Sequence, residues 1–232
     1  MISIIIPVYN EEASIAKTLQ RISETTCASE KEIIVADGGS TDNTVALASK
    51  FANVIISGKG KAKQMNTAAM LARGDILFFA QADMTVPAGA LSAIEKTISE
   101  GSDGGGFANV FDAHNEKIKR LGTLLNLRFF NRREQSDRCI FYGDNGIFVK
   151  KEVFEKLKGF KEIPIMEDYD FSLRMKTNFN VKQIKEPQLI LSARRHLKAG
   201  FVKTRLQWIL IRRLYQMGFS PSFLSKLYQD IR

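Results

Sequence analysis

Residues Ile2–Val8 are apolar and largely β-branched at almost every position, the pattern of a strand covered on both faces. From Glu11 to Ser23 apolar and polar residues recur instead at helical spacing. The alternation then repeats. A buried strand is predicted over Glu32–Ala36, a helix over Thr41–Phe51 capped by Ser40 or Thr41, and a short strand at Val54–Ile56. A basic loop at residues 58–63 leads into a helix over Met65–Ala72, a strand over Asp75–Ala80 and a helix over Pro87–Ser99. Alternating elements with short connections predict a mostly parallel central sheet flanked by helices, with ligands at the carboxyl ends of its strands. Pro7, which has no N–H to donate, predicts a ladder break near the end of the first strand.

The second half is less regular. Gly101–Gly106 reads as a glycine-rich breaker, followed by a strand over Gly106–Phe111 and a mixed apolar and basic helix over 116–131. A strand over Gly143–Val149, a helix ending near Gly159, a helix over Asp168–Asn178 and two strands, Val181–Ile184 and Leu189–Ser192, complete the pattern. No internal repeat or low-complexity linker interrupts residues 1–192, which read as one catalytic body. Residues 193–232 read as a basic helical C-terminal extension.

Charge changes this picture mainly at the C-terminal end. The net charge is +9, yet residues from Arg194 onward carry nine Lys/Arg and one acid, leaving +1 on the first 193 residues. Such asymmetry suits an anionic membrane, a phosphorylated substrate or nucleic acid, and equally a solvated basic face. In Phe201–Met217 the basic residues scatter around the helical wheel, with no clean apolar side. Interfacial membrane contact, packing on the body and contact with a dimer partner all stay open. Hydrophobic content of 44% is ordinary for a globular chain. Cys27 and Cys139, with no CxxC pair, suggest neither a disulfide framework nor a zinc site and read as small buried residues. The apolar run at the amino terminus is far shorter than the roughly 18 residues of a membrane span and lacks a basic leader, which predicts a cytoplasmic protein.

Candidate chemistry lies in five acidic or basic segments. Met166-Glu167-Asp168-Tyr169-Asp170 gathers three carboxylates at a helix start, where they either complement the helix dipole or supply a general base. Asp37-Gly38-Gly39-Ser40-Thr41-Asp42 joins a strand to a helix, so Asp37 can accept from a nucleoside donor or simply cap the turn. Lys59, Lys61 and Lys63, set among glycines before a helix, suit a diphosphate, although the spacing is not that of a P-loop and an exposed basic loop would look alike. Asp83, just beyond a strand, can ligate Mg2+ or Mn2+ or be an ordinary turn residue. Arg194 and Arg195 could fork onto a leaving diphosphate; His196 and His114 are weak metal-ligand candidates.

The ordered set Ile6-Pro7-Val8-Tyr9-Asn10-Glu11-Glu12, Asp37–Thr44, Gly60–Asn66, Ala82-Asp83, Gly143-Asp144-Asn145 and Met166-Glu167-Asp168 resembles family 2 glycosyltransferases of the GT-A fold over essentially the whole chain. It is most similar to a short bacterial subgroup with a DGGSTD turn, a QMN segment, an IPxMED stretch and an arginine pair before a basic tail. The resemblance implies a nucleoside-diphosphate-sugar donor (UDP- or GDP-sugar), Mg2+ or Mn2+, and inversion at the anomeric carbon. Carried onto this sequence, Pro7, Tyr9 and Glu11 would line the nucleoside pocket, Asp37 would contact the nucleoside, and Lys63 and Asn66 would sit beside it. Asp83 would hold the metal and Asp168 would be the base, with Glu167 in support and Asp170 a helix-surface acid. Lys61, Lys63, Arg194 and Arg195 would balance the leaving phosphates. Two departures stand out: Gly38 replaces the usual second acid of the turn, and Ala82 replaces an acid beside Asp83. The resemblance implies a donor-binding half over about 1–100 and an acceptor half over about 101–192. The acceptor expected is a hydroxyl or a lipid phosphate, and the enzyme is expected in the cytoplasm, with contact at the inner face of the cell membrane left open. A nucleotidyltransferase on a similar fold, a noncatalytic sugar-nucleotide-binding protein and a nucleic-acid-binding protein are the competing readings, the last without an interleaved aromatic module to support it.

Overall fold

In the computed structural model, residues 1–112, 140–192 and 200–228 are described, apart from the side chains of 201, 202 and 205. The helix expected at 116–131, and with it His114, Cys139, Arg194, Arg195 and His196, lies outside the described residues.

The first hundred residues run β1 (Ile2–Val8), α1 (Ile15–Glu24), β2 (Lys31–Asp37), α2 (Thr44–Ala48), β3 (Asn53–Ile56), α3 (Lys61–Leu71), β4 (Ile76–Phe79), the short β5 (Met84–Thr85) and α4 (Ala90–Ser99). The remainder adds β6 (Gly104–Asp112), a 3-10 turn at Gly143–Asn145, β7 (Phe148–Lys150), α5 (Lys151–Lys156), α6 (Glu167–Asn178), β8 (Val181–Ser192), α7 (Phe201–Gln216) and α8 (Pro221–Leu227). The sheet order is β3-β2-β1-β4-β7-β6-β8-β5. Its β3-β2-β1-β4 half is parallel, as the alternating pattern predicts. The other half is mixed, because β7 runs antiparallel to both neighbours and β5 antiparallel to β8.

Period-two alternation in β1 divides the core. Ile2, Ile4, Ile6 and Val8 pack with α1 and α4 on one face, while Ile5 joins Leu77, Phe79 and the Ala62, Met65 and Ala68 side of α3 on the other. Each fully buried isoleucine contributes about 1.5–3 kcal/mol. The continuous apolar run in the sequence is thus two cores sharing one strand. Ser3, polar within that run, is buried because its hydroxyl donates to Glu32 and accepts from the Gly74 N–H. Cys27 is half-buried against the first core.

Several local expectations are corrected. The ladder break expected at Pro7 is confined to one side: pairing of β1 with β4 stops at Ile5, on the side that Pro7 faces without an N–H, while β1 continues to Val8 against β2. Gly104–Gly106 are not a breaker but the start of β6 between β7 and β8, where a Cβ on Gly105 would overlap the Lys182 carbonyl. The stretch expected as one strand over 143–149 is the 3-10 turn followed by β7, and the two strands expected over 181–192 are one, containing a cis Glu186–Pro187 bond. Helix α3 begins at Lys61 rather than Met65, so Lys61 and Lys63 stand in its first turn.

Candidate active site

Because β7 is antiparallel and the Phe79 N–H donates to the Ile147 carbonyl, the turn before β7 is delivered to the carboxyl end of β4. There Pro7, Lys61, Gln81, Gly143, Phe160 and Asp168 line a pocket. Gly143 is its floor. A Cβ on Gly143 would overlap the Gln81 carboxamide nitrogen and stand 2.7 Å from Lys61 Nζ and 3.4 Å from Asp168 Oδ2. Three polar side chains from α3, the β4–β5 turn and α6 therefore converge on one backbone position that has room only for hydrogen.

Asp168 is placed by the local chain. Met166 adopts φ 72°, a left-handed conformation rare for a residue with a Cβ, and its carbonyl accepts from the Asp170 N–H to open α6. Glu167 and Asp168 then fall in the first helical turn. Asp168 Oδ2 accepts from the Gly143 N–H at 2.7 Å and Oδ1 from the Tyr169 N–H at 2.7 Å. Each oxygen retains a second lone pair for a substrate proton. Glu167, 8% exposed, has Oε1 3.7 Å from Lys61 Nζ. Burial first, and the Asp168 charge second, push its carboxyl above the ordinary 4.5, with Lys61 opposing both.

Asp170 is not a surface acid. It is buried, and its carboxylate takes Lys161 Nζ and Arg174 Nε, each at 2.6 Å, and the Tyr215 hydroxyl at 3.4 Å. Burial works to raise this carboxyl, but the Lys161 and Arg174 hydrogen bonds and charges outweigh it and hold the group below 3.8. Tyr169, between the two acids, stacks on Tyr142 with centroids 6.1 Å apart, meets Tyr215 edge-on at 5.8 Å, and accepts a hydrogen bond from Gln216. With Ile165, Met166, Ile211 and Leu224 it forms a third apolar cluster, so α7 and α8 pack on the segment carrying Asp168. Of the destinations left open for the tail, the structure shows the body.

The Asp37 turn lies at the end of β2, apart from this pocket. Asp37 is 1% exposed; Oδ2 accepts from the Gly39 and Ser40 N–H groups, and Oδ1 from the Ser40 hydroxyl. Asn10, Glu11 and Glu12 of the β1–α1 loop bind Ser40, Thr41, Asp42, Asn43 and Thr44, joining the two loops into one braced rim. Lys59 Nζ lies 4.4 Å above the Tyr9 ring. Beneath the rim, buried Gln64 donates to the Val8 and Ala36 carbonyls at 2.7 Å each. Its carboxamide would lie 3.2 Å from a Cβ at position 38, a tight contact beside Gly38. Asn66 faces elsewhere: its carboxamide clamps both backbone groups of Phe160, at 2.8 and 2.9 Å. Lys63 is exposed beside Gly58.

Asp83 is exposed in the β4–β5 turn, outside the pocket lining. No cluster of three His, Cys, Asp or Glu suited to a metal exists among the described residues. The pocket thus unites Pro7, Lys61 and Asp168 from the expected set, with Glu167 beneath, but not Asp37 or Asp83. Gln81 and Gly143 were missed as individual roles. Gly143 opens the recognised Gly143-Asp144-Asn145 motif and Gln81 precedes Ala82-Asp83, but only the antiparallel entry of β7 brings them together.

A mixed α/β sheet with a parallel half, flanked by helices, is the architecture of GT-A glycosyltransferases. The chain belongs to glycosyl transferase family 2, whose family model matches residues 3–158. An uncharacterized glycosyltransferase of Haemophilus influenzae is 26% identical over 200 residues, covering 81% of this chain and 66% of that protein. The Bacillus subtilis uncharacterized glycosyltransferase YfnE is 37% identical over 89 residues, 35% of this chain and 23% of its own length. Against these two the chain spans 23–66% of the relative's length. Among solved structures, the mannosyltransferase PcManGT of Pyrobaculum calidifontis, in complex with GDP-Man and Mn2+, aligns with TM-score 0.72 and 20% identity over 97% of this chain and 67% of that one. The S. aureus protein TarS (1-349) with UDP aligns with TM-score 0.66 and 19% identity over 82% and 60%.

Proposed function

We propose that this chain is the catalytic part of an inverting glycosyltransferase that moves a sugar from a UDP- or GDP-sugar to an acceptor hydroxyl or lipid phosphate. The observation that carries the reading is the convergence of Asp168, Lys61 and Gln81 over Gly143 at the carboxyl end of β4. For a hydroxyl acceptor, Asp168 accepts its proton as the acceptor oxygen bonds to the anomeric carbon and the bond to the diphosphate breaks on the opposite face. A phosphate acceptor arrives ionised and needs no base. The Gly143 N–H keeps the Asp168 carboxylate oriented, and the Lys61 and Lys63 cations in the first turn of α3 offset charge on the leaving diphosphate. Arg194 and Arg195 are proposed to assist there.

The braced Tyr9–Glu11 and Asp37–Thr44 rim is proposed as the nucleoside side of the donor site, with Pro7 bridging rim and pocket. Asp83 fits a hard divalent cation as a single exposed carboxylate with no hydrogen bond or ion pair among the described residues, the donor's phosphates and water completing its ligands. Bound there, Mg2+ or Mn2+ supplies Lewis-acid stabilisation of the departing phosphate.

A thermal-shift panel of nucleotide sugars with and without Mn2+ tests the donor half. Stabilisation by UDP- or GDP-sugars that requires metal and is lost in Asp83→Ala is expected. No shift with any sugar nucleotide would overturn the reading.

A further inference from the structure

Helix α7 buries one side against the body through Thr204 and Ile211, with Trp208 and Tyr215 beside them. Once that stripe is covered, folding requires no second apolar stripe. Yet on α7 Leu206 is 61% exposed and Leu210 54%, Met217 at its end is 73% exposed, and Phe219, Phe223 and Leu227 are exposed in the turn and on α8. Positions 206, 210 and 217 recur at helical spacing opposite Ile211, with exposed Lys203 and Arg213 interleaved and Lys226 exposed on α8. No Asp or Glu occurs between residues 200 and 228.

We propose that this outer face of α7 and α8 docks on the surface of an anionic lipid bilayer. The aliphatic and phenyl groups enter the boundary between headgroups and acyl chains, while the Lys and Arg heads stay at the lipid phosphates. Charge favours this occupant over a second copy of the chain. A two-fold self-contact would set the same cations against each other with no acid on the face to pair with them. Among the described residues no helix is long and apolar enough to cross a membrane, so the contact is interfacial. Tyr169, next to Asp168, lies under the inner side of the same helix pair. Docking would therefore hold the base roughly one helix diameter, about 10 Å, from the bilayer. For an acceptor this favours the polar end of a membrane lipid, a consequence that rests on the function proposed above; the docking itself does not.

The test is co-sedimentation of the full chain with vesicles of phosphatidylcholine alone or with one third phosphatidylglycerol, at low and high salt. Binding should be at least tenfold stronger to the anionic vesicles and weaken with salt. Lys203→Gln, Arg213→Gln and Lys226→Gln should each weaken it about fivefold, the equivalent of ~1 kcal/mol per cation. Leu206→Ser with Leu210→Ser should weaken it at least tenfold. All of these variants should retain wild-type unfolding temperature and any donor-induced shift, which separates loss of docking from loss of fold or donor site. Equal binding to both vesicles, no binding at low salt, or a wild-type dimer dissolved by the leucine variants would overturn the proposal.

Discussion

Replacing Gly143 by alanine places one methyl group where the pocket's polar atoms converge. The new Cβ would overlap the Gln81 carboxamide and lie 2.7 Å from Lys61 Nζ, against the ~3.5 Å of an unstrained contact, so both groups must withdraw by roughly 1 Å. Both are ends of flexible side chains facing an open pocket, so the stability cost should fall at the low end of overpacking, about 1 kcal/mol. For a domain of this size that is roughly 2–4 °C in unfolding temperature. The backbone N–H remains to hold Asp168, so that carboxylate stays in place. The loss should instead appear in the chemistry: a misplacement of ~1 Å costs on the order of 100-fold, or about 2.7 kcal/mol of transition-state stabilisation. Nucleoside-diphosphate release from the donor selected by thermal shift, measured beside thermal unfolding, gives both quantities. A Gly143→Ala enzyme with kcat/KM within threefold of wild type would refute the view that reacting groups are held there.

The two acids flanking Asp168 should respond to pH in opposite senses. Burial and the Asp168 charge raise Glu167 above 4.5, so its contribution to stability is complete below that value and lost as pH rises through the raised one. Glu167→Gln removes that loss, so its unfolding temperature relative to wild type should climb with pH across the interval; a constant offset contradicts this. For Asp170, burial is outweighed by Lys161 and Arg174, so its contribution is present above 3.8 and lost as pH falls through the depressed value. Asp170→Asn should cost about 2 kcal/mol near neutral pH, less than a fully buried pair because Lys161 is largely exposed, and the gap should close in acid. A pH-independent gap would count against the ion pairs as its source. Gln64→Leu removes donors from the Val8 and Ala36 carbonyls and should cost about 2 kcal/mol in chemical denaturation; less than 0.5 kcal/mol would mean that other donors replace it.

Strands β1 to β4 were legible because apolar runs bounded by turn residues fix parallel strands wherever both faces are covered. Where tertiary contact decides, the pattern failed. The glycines of β6 resemble a breaker in sequence, yet Gly104 is required by the close approach of β7, Gly105 by that of β8 and Gly106 by the Phe141 ring, none of which a local signal records. Asp170 resembles Glu167 and Asp168 in sequence, and it becomes structural because Lys161 and Tyr215 arrive from elsewhere to join Arg174, one turn further along the same helix. Asn66 belongs to a recognisable motif, but its bonding to Phe160 depends on a loop 94 residues away. The missing clean stripe on α7 has a physical cause as well: the helix is apolar toward the body and apolar outward.

The assignment of Asp168 as base is tested most directly by Asp168→Asn assayed for transfer to a hydroxyl acceptor and, in parallel, for the thermal shift given by donor with Mn2+. The amide preserves size but cannot accept the proton, so transfer should fall by about 100-fold to 10,000-fold while the donor-induced shift persists. Transfer to that hydroxyl at the wild-type rate would contradict the assignment.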